Sequence, residues 1–271
     1  MQAFGNIRPI NFVSPALIHR SAIKEHLCRG TDITIVRELT GGMYFGPKQE
    51  PDPATLDAAS DLDSYTRKEI ERATRLAAKL AKSQNPPLPV TSLDKANALA
   101  ACGRLWRAVV THVMKDEFPD VPLQHMLIDS AAMVMTLTPT RLNGVVLTSN
   151  MFGDIISDAA SAIPGSIGLL PSASLCEIPE TAQRSCVRGL YEPVHGSAPD
   201  LAGKGVVNPL GMILSVAMMC RFSLGMTEAA DKIELAVKEV LEAGVSTPDL
   251  GGTARTAQVG DAVVEAMSKK S

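Results

Sequence analysis

Short β-rich runs alternate with helical patterns through the middle of this chain, an order that suits a largely parallel sheet with helices packed on its faces. The runs are residues 32–36 (Asp-Ile-Thr-Ile-Val), 88–91, 123–128 and 144–148, and helices are expected over 65–84, 96–115, 130–137 and 152–163. In the first of these helices Ile70, Ala73, Ala77 and Leu80 recur at helical spacing, Asp63 or Ser64 is placed to cap the start, and Asn85-Pro86-Pro87 ends it. Gly41-Gly42 and Gly46-Pro47 mark a loop or arm that runs to about Asp63. A loop over 164–174, rich in Gly, Pro and Ser, divides the pattern into 1–163 and 164–271. Beyond it a short strand near Leu190, an apolar helix from about Leu210, an amphipathic helix over 227–243 and a last helix after Arg255 are expected. The predicted fold class is α/β, with no internal repeat.

At 271 residues and 45% hydrophobic content the chain can bury a substantial core. Its 26 basic and 29 acidic residues leave a net charge of -3 without a like-charge block, which argues against nucleic acid and for a small-molecule partner. Cys28, Cys102, Cys176, Cys186 and Cys220 are scattered and form no C-x-x-C pair, which fits reduced thiols in an intracellular, cytoplasmic setting. The start carries no basic region followed by an apolar one, and the apolar run 210–220 is too short to span a bilayer, so neither a secretory signal nor a membrane partner is expected.

Each predicted strand hands over to a segment with an ionisable residue: Arg37 and Tyr44, then Lys95, then Asp129, then Asp154 and Asp158. Ligands of open α/β sheets bind outside the carboxyl ends of strands, so these segments are expected to converge on one cleft. Asp154 and Asp158 share a helix face, and Asp129 offers a third carboxylate from what reads as the neighbouring strand end. Three carboxylates with open positions suit Mg²⁺ or Mn²⁺; the same pair placed near a helix start also serves the helix dipole. Lys95, between two buried elements, reads either as a general base tuned by desolvation or as an ordinary surface lysine. Arg8 and Arg37 offer planar forks for carboxylates. His195-Gly196-Ser197-Ala198-Pro199-Asp200 is a turn-rich loop before Asn208-Pro209 that can wrap a nucleotide with backbone donors or simply connect two elements, and the usual G-x-G-x-x-G fingerprint is absent.

Taken together these segments resemble the β-decarboxylating dehydrogenases, most closely those of the 3-isopropylmalate type in leucine biosynthesis. The likeness runs from about Asn6 to Asp261. Its strongest piece is Asn150-Met-Phe-Gly-Asp-Ile-Ile-Ser-Asp158 with Pro164-Gly-Ser-Ile-Gly-Leu-Leu-Pro-Ser-Ala-Ser174, joined by Arg37-Glu-Leu-Thr-Gly-Gly-Met-Tyr-Phe-Gly46, Leu93-Asp-Lys-Ala-Asn97 and Glu192-Pro-Val-His-Gly-Ser-Ala-Pro-Asp200. The resemblance implies parallel and mixed sheets with flanking helices, a substrate, metal and dimerisation domain over 1–163, and the remainder of an NAD-binding domain over 164–271.

It further implies oxidation and decarboxylation of 3-isopropylmalate or a related malate, with Asp129, Asp154 and Asp158 as metal ligands and Asp129 also against the substrate. Lys95 is the implied base, Tyr44 the acid that quenches the enolate, and Arg8 and Arg37 the substrate clamps. His195, Gly196, Ser197, Ala198, Asp200, Asn208 and Asp249 are implied cofactor contacts, and the Asp200 carboxylate favours NAD over NADP because it repels a 2′-phosphate. In the family the lysine and one metal aspartate reach a partner's cleft, so a homodimer with shared sites is implied. Family members also carry a preceding stretch with the opening βα units, so the cofactor domain is expected to be truncated at its N-terminus, and a catalytically incompetent paralogue is the competing expectation. Isocitrate and tartrate are alternative substrates. Ala98 stands where leucine-pathway members carry valine against the substrate's alkyl group, which admits a bulkier acid such as 3-benzylmalate.

Overall fold

The computed structural model describes residues 2–179 and 187–269; the Cys186 expectation lies outside the described residues. In chain order the main elements are β1 (Gly5–Asn11), α1 (Glu25–Cys28), β2 (Asp32–Glu38), β3 (Lys48–Gln49), β4 (Ser60–Asp61), α2 (Arg67–Lys82), β5 (Val90–Asp94) and α3 (Cys102–Glu117). There follow β6 (Leu123–Leu127), α4 (Ile128–Leu137), β7 (Gly144–Thr148), α5 (Asn150–Ala160), β8 (Pro171–Leu175), β9 (Gly189–Pro193), α6 (Leu210–Phe222), α7 (Thr227–Glu242) and α8 (Thr256–Ser268).

Seven strands form one sheet in the order β6-β5-β7-β2-β1-β8-β9, and β3 with β4 forms a small ribbon in the arm. The first four strands are mutually parallel, whereas β1, β8 and β9 each run antiparallel to the strand before them in that order. The sheet is therefore mixed. β5 and β7 are buried along their whole length; β7 accordingly reads as an unbroken apolar run, whereas β5 carries Thr91, Ser92 and Asp94 and runs to Asp94, beyond the expected 88–91.

Two cores cover the two faces. Ile7, Val36, Val145 and Leu147 meet Ile70, Ala73 and Leu76 of α2 and Trp106 and Val110 of α3. On the opposite face Ile10, Ile33, Ile35 and Val146 meet Ala131 and Val134 of α4 and Ile156 and Ala160 of α5. Each fully buried isoleucine here contributes roughly 1.5–3 kcal/mol relative to exposure. A third core joins α6, α7 and α8 through Leu210, Leu214, Val237, Val240 and Val259.

Four expectations need correction. The loop predicted over 164–174 contains β8, fully buried between β1 and β9; Pro-Ser-Ala-Ser-Leu lacks the β-branched signal because its serines are satisfied by neighbours, Ser172 Oγ donating to the Glu192 carbonyl (2.9 Å) and Ser174 Oγ accepting from Asn6 Nδ2 (2.9 Å). The same sheet thus continues across residue 164. Strand β1 went unpredicted because Pro9 interrupts it, and Pro9 lies beyond the Gly5–Ile7 stretch that pairs with β8. Helix α2 is capped by Thr66, not by Asp63 or Ser64, in a reciprocal box with Glu69. Helix α3 starts at Cys102 and not at Ala96, since Asp94 accepts from the Ala96 amide (2.9 Å) in a turn that precedes it. Among the described residues no helix is long and apolar enough to cross a membrane.

Candidate active site

Strand register assembles the first group of polar side chains. Asn6 of β1 stands opposite both Arg37 of β2 and Ser174 of β8, and Arg8, two residues on, shares its face of the sheet. Arg8 donates from Nε to Asn6 Oδ1 (2.6 Å) and from Nη1 to Ser157 Oγ (2.5 Å), with Asp158 Oδ1 at 3.4 Å and Asp154 Oδ1 at 3.5 Å. Arg37 forms a short ion pair with the same Asp154 oxygen, and Tyr44 donates its phenol proton to Asp154 Oδ2 (2.9 Å). Gly153 permits the approach, because a Cβ there would lie 2.7 Å from Arg37 Cγ.

Arg8, Arg37, Tyr44, Asp154 and Asp158 therefore form one cluster at the carboxyl end of β2. Helix α5 has no acidic residue in its first turn, and the dipole weakens beyond that turn, so the arginines and not the helix end are the main partners of both aspartates. Burial pushes the Asp158 carboxyl above its ordinary range; Arg8 pulls it back and Asp154 pushes it further. The bond to Asp154 raises the Tyr44 phenol, and burial lowers the Arg8 guanidinium, with Arg37 acting in the same direction.

The loop that carries Tyr44 is held from below by a carboxylate that sequence reasoning passed over. Glu38 is fully buried and accepts from the Thr40 amide (2.9 Å), the Gly41 amide (2.8 Å) and Thr40 Oγ1 (2.5 Å), with Arg72 Nη2 at 3.4 Å. Its signal was the acid ahead of Thr-Gly-Gly, a composition that suits a carboxylate-anchored turn. Glu38→Ala strands two buried amides and is expected to destabilise the fold by about 2–4 kcal/mol. Urea unfolding checks this, and Glu38→Gln, which keeps one acceptor, should lose clearly less.

Lys95 and Asp129 form a second, separate group. Lys95 Nζ lies 2.5 Å from Asp129 Oδ1, and their hydrogen bond holds the Asp129 carboxyl below its ordinary range. Among the described residues no hydrogen bond or ion pair joins Lys95 or Asp129 to the arginine cluster, although Lys95 shares a small cleft with Ser149 and Phe152 at the start of α5. β6, which precedes Asp129, is two places from β7, which precedes Asp154, whereas β5, which precedes Lys95, pairs directly with β7. Asp129, in the first turn of α4, follows a strand that is not next to β7, because β5 lies between. Among the described residues no three His, Cys, Asp or Glu side chains come together to hold a metal ion. Asp154 and Asp158 alone supply hard oxygen donors on one helix face, a set that fits Mg²⁺ or Mn²⁺ and lacks one carboxylate. Ala98 lies exposed in the turn after Lys95, its amide donating to the Lys95 carbonyl (2.9 Å).

Among the residues expected to meet a cofactor, Asn208 Nδ2 donates to Asp249 Oδ2 (3.0 Å), which also accepts from Ser166 Oγ (2.5 Å), while Thr247 Oγ1 donates to Asp249 Oδ1 (2.5 Å). The structure thus joins Asn208 and Asp249 and adds Ser166, which the sequence offered only as part of a motif. Gly196, Ser197, Ala198 and Asp200 form an exposed turn after the partly buried His195, with Ala198 in the left-handed region at φ 40°. His195 Nδ1 lies 2.8 Å from the Gly196 carbonyl. Exposed backbone in such a turn offers donors to a ligand.

A family model described as isocitrate/isopropylmalate dehydrogenase matches residues 1–263. The chain belongs to this family. It is 70% identical over 268 residues to the 3-isopropylmalate dehydrogenase AMT6 of Alternaria alternata, an alignment covering 98% of this chain and 72% of that protein. It is 56% identical to 3-isopropylmalate dehydrogenase A of Aspergillus niger, covering 99% and 72%. Among solved structures, isocitrate dehydrogenase from Methylococcus capsulatus superposes with a TM-score of 0.84 at 34% identity, covering 98% of this chain and 73% of that one. A β-decarboxylating dehydrogenase from Thermococcus kodakarensis gives 0.77 at 34% identity, covering 98% and 70%. By family the protein is an oxidoreductase with the β-decarboxylating dehydrogenase fold, and the mixed sheet with flanking helices accords with that fold.

Proposed function

We propose that this dehydrogenase oxidises and decarboxylates a 3-substituted malate, with 3-isopropylmalate as the reference substrate and NAD as the acceptor. The observation that carries the reading is the cluster in which Arg8 and Arg37 flank Asp154 and Asp158 beneath the Tyr44 phenol. Two guanidinium forks suit a dicarboxylate, and two aspartates on one helix face suit a cation held against it.

Asp154 and Asp158 would hold Mg²⁺ or Mn²⁺ together with Asp129 of a second copy. When bound, the ion supplies Lewis acidity toward the substrate's oxygens and NAD supplies the hydride acceptor. Lys95 of that second copy takes the substrate's hydroxyl proton at Nζ as hydride leaves carbon. Arg8 and Arg37 hold the carboxylates in line, and after CO₂ departs the Tyr44 hydroxyl returns a proton to the carbon it left. Residues 1–163 carry this chemistry. Residues 164–271 carry the cofactor contacts His195, Gly196, Ser197, Ala198, Asp200, Asn208 and Asp249.

The separate Lys95–Asp129 pair supports a homodimer, as do Met133 and Leu137 of α4 and Ile155 of α5, which leave large apolar side chains exposed on adjoining helices. Ala98, next to Lys95, would border the substrate's 3-substituent across that interface. NADH formation should be measured with Mn²⁺ and 3-isopropylmalate, 3-benzylmalate, isocitrate and tartrate in turn. The expected order places a 3-alkyl or 3-arylmalate first, and Ala98→Val should lower the benzyl-to-isopropyl ratio by about tenfold. Preference for isocitrate, or no turnover with any of the four acids, would overturn the reading.

A further inference from the structure

Asn150 opens the most specific motif of the chain, yet the roles assigned above leave it unused. It is the first residue of α5, 2% exposed, and it is bonded on three sides. Its backbone amide donates to the Tyr65 hydroxyl (2.9 Å), its Oδ1 accepts from Arg37 Nε (3.0 Å), and its Nδ2 donates to the Gly41 carbonyl (3.2 Å). Arg37 Nη1 and the Tyr44 hydroxyl meet on the two oxygens of Asp154, one turn further along the same helix, and the Arg37 guanidinium lies 5.6 Å from the Tyr44 ring centroid. Gly41 begins the turn that delivers Tyr44, with the Gly42 carbonyl accepting from the Phe45 and Gly46 amides.

We propose that Asn150 is a positioning residue, whose amide oxygen fixes the Arg37 fork while its amide nitrogen fixes the Tyr44 loop, so that both meet Asp154 in one geometry. The chemistry requires an amide, because the site needs one acceptor and one donor on the same short side chain. Serine is too short to reach both partners, and aspartate offers an acceptor to Arg37 but sets a second acceptor against the Gly41 carbonyl. The proposal deepens the function proposed above and rests on its assignment of Arg37 and Tyr44.

Asn150→Asp separates the two arms, because it keeps the Arg37 bond and breaks the Gly41 bond. The chain has three tyrosines, so 3-fluorotyrosine labelling gives three ¹⁹F resonances, with Tyr44→Phe assigning the one of interest. In Asn150→Asp the Tyr44 resonance is expected to move toward that of free 3-fluorotyrosine and to lose its response to Asp154→Asn. The Tyr65 resonance, which reports the intact start of α5, should hold. Turnover should split accordingly, with kcat falling about 10- to 100-fold and KM changing little, whereas Asn150→Ser should also raise KM because the Arg37 bond weakens. If Asn150→Asp fails to fold, as loss of the Tyr65 and Tyr191 resonances would reveal, Asn150→Ser provides the same Tyr44 readout. A Tyr44 resonance unmoved in the folded variants overturns the proposal whatever the turnover. Wild-type turnover by Tyr44→Phe would instead overturn the catalytic reading of Tyr44 and leave the positioning result standing.

Discussion

Lys95→Ala is expected to lower NAD reduction with a 3-substituted malate by about 10²- to 10⁴-fold, while NAD affinity stays within about threefold of the parent protein. In the proposed roles the base acts only in the chemical step and the cofactor contacts lie on other segments, so binding and turnover should come apart. The root of Lys95 is held firmly. Asp94, buried at the end of β5, accepts two bonds from Arg107 (2.9 and 3.0 Å), and Gly103 lets α3 lie against the following peptide, where a Cβ would come within 2.8 Å of Ala96 Cα. The truncation should therefore leave the strand end in place. Lys95→Arg distinguishes a base from a mere countercharge, since it restores a cation beside Asp129 that does not deprotonate near neutral pH. Recovery of turnover by the arginine variant would remove Lys95 as the base.

How much of this was legible in the sequence follows from what kind of signal each part leaves. Of the parallel strands, β7 announces itself as an apolar run, and β5 and β6 stand out as short segments between helical patterns, so the ionisable residues after them could be read as a series. β1 and β8 leave no such run, since Pro9 interrupts one and two serines sit in the other, and their burial depends on partners far along the chain. The consequences reach the site. Sequence order placed Asp129 next to Asp154, but the sheet order inserts β5 between their strands, and no local pattern reveals such an insertion. Glu38 and Asn150 escaped for a related reason: an acid ahead of a glycine turn or an asparagine at a helix start has many ordinary uses, and only the fold shows what each touches.

The separation of the two clusters yields the second large effect. Asp154→Asn and Lys95→Ala are each expected to be nearly inactive as pure homodimers, the first because it removes a charge from the Arg8, Arg37 and Tyr44 cluster, the second because it removes the proposed base. If each working site combines Asp154 of one copy with Lys95 of the other, a mixed dimer of the two variants contains one site carrying both lesions and one carrying neither. Random exchange of two dimeric species at equal amounts makes half of the dimers mixed, so turnover should rise from almost nothing to roughly a quarter of the parent value. Sites contained within single chains cannot behave this way, because every site in the mixture would then carry one lesion. The subunits should be exchanged by co-unfolding and refolding, with ¹⁹F or mass labels to verify that mixed dimers have formed. Verified mixed dimers that remain as inactive as their parents would refute the shared site and, with it, the placement of Lys95 and Asp129 across the interface.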